Sequence, residues 1–492
     1  MVFGVFAIVL GVWCLSFLNG CAIGPNYKRP AINSPGNFRS ATDTVSTESI
    51  ANRSWWEIYR DDSLKGLIET ALTNNYDLRI AVSRMEQARA IAVQTRAQFL
   101  PQIGYEGEAA RGKNSALGSP SPVAVGATGS SFLALFNASW EVDLWGRIRR
   151  LNESARAQFL ASEEARRGVV LSLVGEVAQA YFELLELDEE HEIATRATNS
   201  FAESLRIFSQ RFEGGVVSKL ETSRAEAALA TTAAIVPDLE RRIVIKENQI
   251  NVLLGRNPGP VPHLTTLLRQ ALPPEIPAGL PSELLERRPD IRRAEQFVRS
   301  ANARVGVALG NFLPQIGLTA LYGGVSSDLS AITSSGGSVW SVAANVAGPV
   351  FQGGRLYGQY QQSKADLQEA KLQYQQAVLG AFHDVVNALV SRQKLEAVRV
   401  QQSRAVAAYQ EAVTVSTQRY IAGKASYYEV LEAQQQLLPA ENSLAQTELN
   451  QLLAVVQLYK ALGGGWTESI NVESGRTDHK PDRAGQTPFP TR

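Results

Sequence analysis

Cysteine is almost absent from this sequence of 492 residues: Cys14 and Cys21 are the only two, and both lie near the N-terminus. A disulfide framework for the body of the chain is therefore excluded. The four histidines are scattered and lack the close spacing of a metal site. G-x-S-x-G motifs, phosphate-binding glycine loops and paired C-x-x-C motifs are also missing, so we expect neither catalysis nor a bound cofactor.

Charge of one sign is not in excess either. The 48 lysines and arginines balance the 48 aspartates and glutamates. A basic surface for nucleic acid, or a strongly acidic surface for a basic partner, is not indicated by this balance. We therefore expect no nucleic-acid partner.

The chain contains an internal duplication. The hexapeptide Phe-Leu-Pro-Gln-Ile-Gly occurs at residues 99–104 and again at 312–317, an offset of 213 residues from Phe99 to Phe312. From Gly146 onward the offset is 208, since Gly146 matches Gly354. We predict two copies of one unit, because a period of this kind determines the fold. The expected divisions are repeat 1 at 62–255, a linker at 256–280, repeat 2 at 281–463 and a disordered polar tail at 464–492.

The N-terminus has the pattern of a targeting segment. Residues 2–17 are apolar and are followed by Leu-Asn-Gly-Cys, which resembles a bacterial lipobox ending at Cys21. We predict a signal peptide at 1–20 and an extended segment at 21–61 whose Cys21 carries a diacylglycerol and an N-acyl chain. Ala22 after the cysteine resembles lipoproteins that are sorted to the outer membrane. The alternative is an uncleaved signal anchor with Cys21 as a free thiol.

Two long stretches predict unusually long helices. Residues 147–212 contain no proline and carry apolar side chains at coiled-coil spacing, and residues 355–420 have the same pattern. At 1.5 Å per residue each helix would reach roughly 100 Å. Glycine-marked turns near 213–217 and 421–426 then return each chain as a second helix. We expect Pro237 and Pro439 to interrupt these returning helices.

Each repeat also contains two segments with period-two alternation. They predict β-hairpins at about 102–144 and 315–351, with an apolar outer face that carries Trp140 and Trp340 near the membrane interface. The opposite face is polar, and we expect its solvated acids to line a watery lumen: Glu106, Glu108, Glu141 and Asp143. The alternative is the edge of a soluble sandwich.

Four strands are too few to close a barrel, and lipid does not tolerate open sheet edges. Two chains would supply eight strands, whose interior is filled by side chains, whereas three would supply twelve and leave a channel. If the protein is a channel, these numbers predict a homotrimer.

Several motifs together resemble the TolC-like outer-membrane factors, in particular the NodT-like lipoproteins of resistance–nodulation–division (RND) efflux pumps. The similar segments are Cys-Ala-Ile-Gly-Pro-Asn-Tyr-Lys-Arg-Pro at 21–30, the stretch at 280–295, both Phe-Leu-Pro-Gln-Ile copies, Gly-Gly-Arg at 353–355 and Arg-Tyr-Ile-Ala-Gly at 419–423. The resemblance implies a mainly α-helical homotrimer with a twelve-stranded outer-membrane barrel and a periplasmic tunnel. It also implies an efflux duct that works with a periplasmic adaptor and an inner-membrane pump.

The same resemblance places the helix turns at periplasmic tips that dock the adaptor and open. The residues implied there are Arg211, Gly215, Arg419, Gly423 and Lys424. For the two arginines, complementing a helix dipole is an equally good interpretation. Three Lys424 side chains near a threefold axis would make the tip less cation-selective than the acidic barrel. Two alternatives remain open: a polypeptide-secretion duct, and a structural lipoprotein without a channel.

We expect lipid to be attached only at Cys21, because no other cysteine follows the lipobox-like segment. Metabolic labelling with palmitate should mark the native chain and leave a Cys21→Ser variant unlabelled. Label that persists in the variant would show that acylation occurs elsewhere.

Overall fold

The computed structural model describes residues 22–32, 35, 38, 61–113, 128–263, 265–270 and 283–464. The predicted signal peptide, the predicted lipid-attachment residue Cys21 and the polar tail beyond residue 464 lie outside the described residues. These ranges contain nine α-helices and four strands. In chain order they are α1 Asp62–Asn74, α2 Tyr76–Ala97, β1 Gln102–Lys113, β2 Thr128–Val142, α3 Arg147–Glu213, α4 Lys219–Ala233, α5 Ile235–Leu253, α6 Leu284–Arg287, α7 Pro289–Gly310, β3 Gln315–Ser326, β4 Ser338–Ala347, α8 Arg355–Ile421 and α9 Tyr427–Ala461.

The four predicted strands form one antiparallel sheet in the order β1-β2-β3-β4. β1 and β2 make the first hairpin, and β3 and β4 make the second. The two repeats meet where β2 pairs with β3. Consequently β1 and β4 are the two edges of the sheet, and each leaves a row of backbone groups without a partner strand among the described residues.

The two long helices are present as predicted. α3 and α8 each contain 67 residues. The apolar stripe of α3 is buried, with Val177 and Leu184 fully inaccessible, and the same core includes Ile291 of α7 and Leu458 of α9. Part of α3 is apolar enough and long enough to cross a membrane, but 61% of that window is buried inside the protomer. Its hydrophobicity therefore serves packing between helices.

The returning helices differ between the repeats. The first is divided into α4 and α5 at Ala234, three residues before Pro237. This break is expected, because a proline ring clashes with the carbonyl four residues earlier and donates no hydrogen bond. In the second repeat α9 runs without a break through Pro439. The prediction of an interruption at Pro439 is therefore wrong.

A buried carboxylate joins the start of repeat 1 to the segment between the repeats. Asp61 is the N-cap of α1 and accepts two backbone N–H groups from the first turn of that helix. Its other oxygen accepts hydrogen bonds from Tyr181 of α3 at 2.8 Å, Thr265 at 2.6 Å and Gln270 at 2.7 Å. Burial raises the pKa of this carboxyl, but the hydrogen bonds outweigh burial and hold the pKa below its usual range.

We expect Asp61→Asn to destabilise the folded protein by about 1–3 kcal/mol, because an amide offers one acceptor where five donors converge. Since the folded carboxyl has a lowered pKa, its contribution exists above the unfolded pKa and is lost as the pH falls through the folded value. Thermal unfolding in detergent should show a lower midpoint at pH 7 and a weaker acid dependence than the native protein. The exposed neighbour substitution Asp62→Asn is the control, and an equal loss in both variants would contradict the role of Asp61.

Candidate functional site at the hairpin tips and the base of the sheet

Two glycines form the turns at the ends of the long helices. Gly215 has φ +70° and Gly423 has φ +72°, in the left-handed region that other residues rarely adopt. The N–H of Val216 donates to the carbonyl of Arg211, and the N–H of Lys424 donates to the carbonyl of Arg419. A Cβ at either glycine would meet no neighbouring atom within 4 Å. Backbone conformation, rather than crowding, therefore requires glycine at both tips.

The two tips pack against each other through aromatic side chains. Phe208 of α3 lies with its ring centroid 4.1 Å from that of Tyr427 and 5.1 Å from that of Tyr420. All three side chains are at most 5% exposed. The ends of the first and second hairpins thus share one packed aromatic cluster within a protomer.

Arg211 joins the first tip to the second. Its guanidinium carbon lies 4.4 Å from the centroid of the Tyr420 ring. Its two terminal nitrogens donate long hydrogen bonds to the carbonyls of Tyr420, at 3.4 Å, and Ile421, at 3.3 Å. These carbonyls belong to the last turn of α8, so Arg211 complements the dipole of a different helix from its own.

The repeat equivalent of Arg211 has a different environment. Arg419 donates to the carbonyl of Lys424, at 3.4 Å, and so contacts its own turn. The Lys424 side chain is exposed, and its backbone closes the turn. Whether Lys424 faces a pore, and whether either arginine contacts an adaptor, stay predictions from the sequence.

The acids of the sheet divide into two groups. Glu106 and Glu108 are exposed on β1 and alternate with the apolar side chains of the opposite face. Their role as lumen-lining acids stays a prediction. Glu141 and Asp143 form ion pairs with arginines, and their side chains are 28% and 11% exposed, so the prediction of a solvated acid is wrong for Asp143.

Glu141 and Asp143 hold the junction between β2 and α3. Glu141 forms a two-point ion pair with Arg147, with contacts of 3.0 and 2.6 Å. Asp143 accepts the backbone N–H groups of Ile148 and Arg149, the second and third residues of α3. The N-cap Gly146 has no side chain, so Asp143 satisfies the free donors of the helix start from three residues away. A carboxylate shortly before a glycine that opens a helix was the available signal.

Sequence reasoning missed a docking site for the N-terminal segment. Arg150 of α3 is 4% exposed and donates hydrogen bonds to the carbonyls of Ile23 and Gly24 and to the side chain of Asn26. Gly24 has φ +100°, and a Cβ there would lie 2.6 Å from the Cα of Gly306 in α7. Two glycines in contact thus allow residues 22–26 to lie between α3 and α7.

The same segment is fastened further along by a carboxylate of α7. Glu295 accepts hydrogen bonds from Tyr27, Arg29 and Arg299. Burial raises the pKa of Glu295, but these donors outweigh it and the pKa lies below the usual range. At the other end, the N–H of Ile23 donates to the carbonyl of Trp145 at 3.0 Å. The residues that follow Cys21 are therefore held at the base of the sheet.

A four-stranded sheet with two free edges, continuous with paired helices of about 100 Å, defines a protomer of a barrel-and-tunnel channel. The family model for outer membrane efflux proteins matches residues 67–256 and 280–464. The chain belongs to the outer membrane efflux protein family, which is a family of channel proteins.

Named relatives extend over nearly the whole chain. The solvent efflux pump outer membrane protein SrpC of Pseudomonas putida is 34% identical over 94% of this chain and 99% of its own length. The cation efflux system protein CusC of Escherichia coli is 31% identical over 92% of this chain and 97% of its own. The solved structure of the outer-membrane channel OprN is 31% identical, covers 91% of this chain and 100% of its own, and gives a TM-score of 0.84.

These comparisons confirm the predicted fold class and location. The protein is a homotrimeric efflux channel of the outer membrane that extends into the periplasm. Each protomer supplies four strands to the barrel and two long helical hairpins to the tunnel.

We expect Arg211→Ala to loosen the contact between the two tips of a protomer by about 1 kcal/mol, through loss of the ring contact and of two carbonyl hydrogen bonds. Conductance in planar bilayers should rise, because a tip that is less firmly joined opens more often. Arg419→Ala is the matched control, since this arginine donates its hydrogen bond to a carbonyl of its own turn. Equal conductance for Arg211→Ala and the native channel would argue that the link does not restrain the tip.

Proposed function

We propose that this protein is the passive exit duct of a tripartite efflux system that expels small molecules across the periplasm and the outer membrane. The observation that carries the proposal is the continuity of the sheet with α3 and α8. Both helices begin within eight residues of a strand and extend for 67 residues. A duct of this length would bridge most of the periplasm without any chemical step in this chain.

The tips are the proposed contact with the periplasmic adaptor. They carry exposed apolar side chains beside the glycine turns: Phe212 at 41%, Val216 at 72%, Leu220 at 59%, Ile421 at 58% and Tyr428 at 61%. Such side chains suit a protein partner better than open solvent. The pump of the inner membrane, which we propose to be of the RND type, would supply the energy and select the cargo. The relatives fit this division, since one is named for solvent and another for cation efflux.

A lipid anchor at Cys21 is the second part of the proposal. Ala22 lies against Gly146, because a Cβ on that glycine would meet the Cα of Ala22 at 2.6 Å. Gly146 follows the end of β2 by four residues. Cys21 would then lie at the periplasmic rim of the barrel, where a diacylglycerol and an N-acyl chain can enter the inner leaflet. The protein would be both anchored to the membrane and inserted in it.

Charge would differ along the duct. Glu106 and Glu108 of three protomers would make the barrel acidic, while three copies of Lys424 would lie near the tip axis. Like charges at the tip resist close approach, although salt screens them over about 8–10 Å. We propose that the tip is the less cation-selective end.

Dye accumulation tests the proposed function. A strain without its own outer-membrane channel, carrying a matched adaptor and RND pump, should accumulate less of a fluorescent pump substrate when the protein is expressed. Without the pump, expression should give no such decrease. Unchanged accumulation with all three components, together with export of a polypeptide when a type I secretion transporter and its adaptor replace the pump pair, would identify a secretion duct instead.

A further inference from the structure

The sheet of each protomer ends in two free edges, β1 on one side and β4 on the other. In the homotrimeric barrel the edge of β4 meets the edge of β1 of the next protomer, because hydrocarbon offers no water to unpaired backbone groups. The remaining question is which residue lies opposite which. This register decides which side chains share the seam between protomers.

The register between protomers can be inferred from the internal duplication, because equivalent strands are related by fixed sequence offsets. β3 repeats β1 at an offset of 213 residues, and β4 repeats β2 at an offset of 208. Gln102 pairs with Ser139 in the first hairpin. The offsets convert this pair into Gln315 and Ala347, which do pair in the second hairpin. The two hairpins therefore share one register, and the sequence offsets hold in three dimensions.

The pairing of β2 with β3 is the contact between successive repeats within a chain. By the symmetry of the duplication, its equivalent between chains is the pairing of β4 with the β1 of the next protomer. Phe136 lies opposite Tyr322 in the first of these contacts. Applying the offset of 208 to Phe136 gives Ala344, and removing 213 from Tyr322 gives Ala109. We propose that β4 pairs with the neighbouring β1 so that Ala344 lies opposite Ala109 of the partner subunit.

The outward face of this seam has complementary side chains. Trp340 and Val346 are 75% and 70% exposed in the protomer and belong to the outward face, like Phe136 and Tyr322 of the central strands. In the proposed register Trp340 lies opposite the partner subunit's Lys113, where a cation can contact the indole ring. Val346 lies opposite the partner's Gly107. Because glycine has no side chain, the branched side chain of Val346 has room there.

The pleat limits the alternatives. A shift of one residue would place a lipid-facing side chain opposite a lumen-facing one, so only even shifts keep both faces intact. A shift of two would bring Val342 or Val346, in place of Ala344, opposite the partner subunit's Ala109. These two registers are therefore the competitors that an experiment must separate.

On the lumen face of the seam, the proposed register gives a partner to Glu108, one of the two exposed acids. In the proposed register Glu108 lies opposite Asn345 of the partner subunit. The Asn345 side chain lies over Gly317 of its own hairpin, where a Cβ would collide with its amide oxygen. An amide N–H at this place can donate to a carboxylate, so Glu108 belongs to the protomer interface as well as to the lumen.

Three double-cysteine variants test the register. Ala109→Cys is combined in turn with Ala344→Cys, Val342→Cys or Val346→Cys, and membranes are oxidised mildly before non-reducing electrophoresis. Directly opposed Cβ atoms lie about 4.5–5.5 Å apart and diagonal ones about 7–8 Å. A disulfide requires about 3.5–4.5 Å. Covalent dimers and trimers should therefore form several-fold faster with Ala344→Cys than with the other two partners.

The single variants Ala109→Cys and Ala344→Cys are the controls, because each lacks the opposing cysteine of the pair and should give no covalent oligomer through native Cys21. Faster cross-linking with Val342→Cys or Val346→Cys would show a register shifted by two. No cross-linking in any double variant that still purifies as a trimer would show that these edges do not meet as proposed. The proposal rests on the homotrimeric barrel and not on the cargo, so dye accumulation and cross-linking can fail independently.

Discussion

The hydrocarbon core of a membrane leaves no backbone hydrogen-bonding group without a protein partner, and the rest of this structure depends on that constraint. A single protomer does not meet this requirement, because the backbone groups at its free edges β1 and β4 have no partner strand in the described part of the chain. Closure by three copies of the sheet satisfies both edges. The long helices follow from the sheet, because α3 and α8 begin a few residues beyond β2 and β4 and so continue the closed wall into the periplasm.

Because the chain is duplicated, each contact between elements has an equivalent at the positions given by the repeat offsets. The side chains at the two sets of positions differ. The groove between α3 and α7 accepts the N-terminal segment through Arg150, Glu295 and Gly306. The repeat offsets place Gly358 at the position of Arg150, Val82 at that of Glu295 and Val93 at that of Gly306. These residues lack the two charged groups that bind the N-terminal segment, and Val93 has a side chain where the close approach of Gly24 requires a glycine. Each protomer therefore binds its N-terminal segment in the groove between α3 and α7.

Much of the fold could be predicted because it follows from local periodicity. Coiled-coil spacing without proline predicted α3 and α8 nearly to the residue, and alternation predicted all four strands. The left-handed glycines at the tips were also predictable, since a helix end requires that conformation. The site was less predictable. Arg211 contacts carbonyls of Tyr420 and Ile421, about 200 residues away along the chain, and no local pattern announces such a partner.

The sequence by itself determined the repeat, the element types and the number of strands, because these depend on spacing and composition over short distances. Tertiary structure alone decided that Asp61 accepts hydrogen bonds from Tyr181, Thr265 and Gln270, and that Arg150 donates to the carbonyls of Ile23 and Gly24. In both cases the partners of a buried polar group are at least 120 residues away along the chain, and only folding brings them within hydrogen-bonding distance. Periodicity can be recognised within a short stretch of sequence, whereas contact between residues far apart in the chain depends on how the whole chain folds.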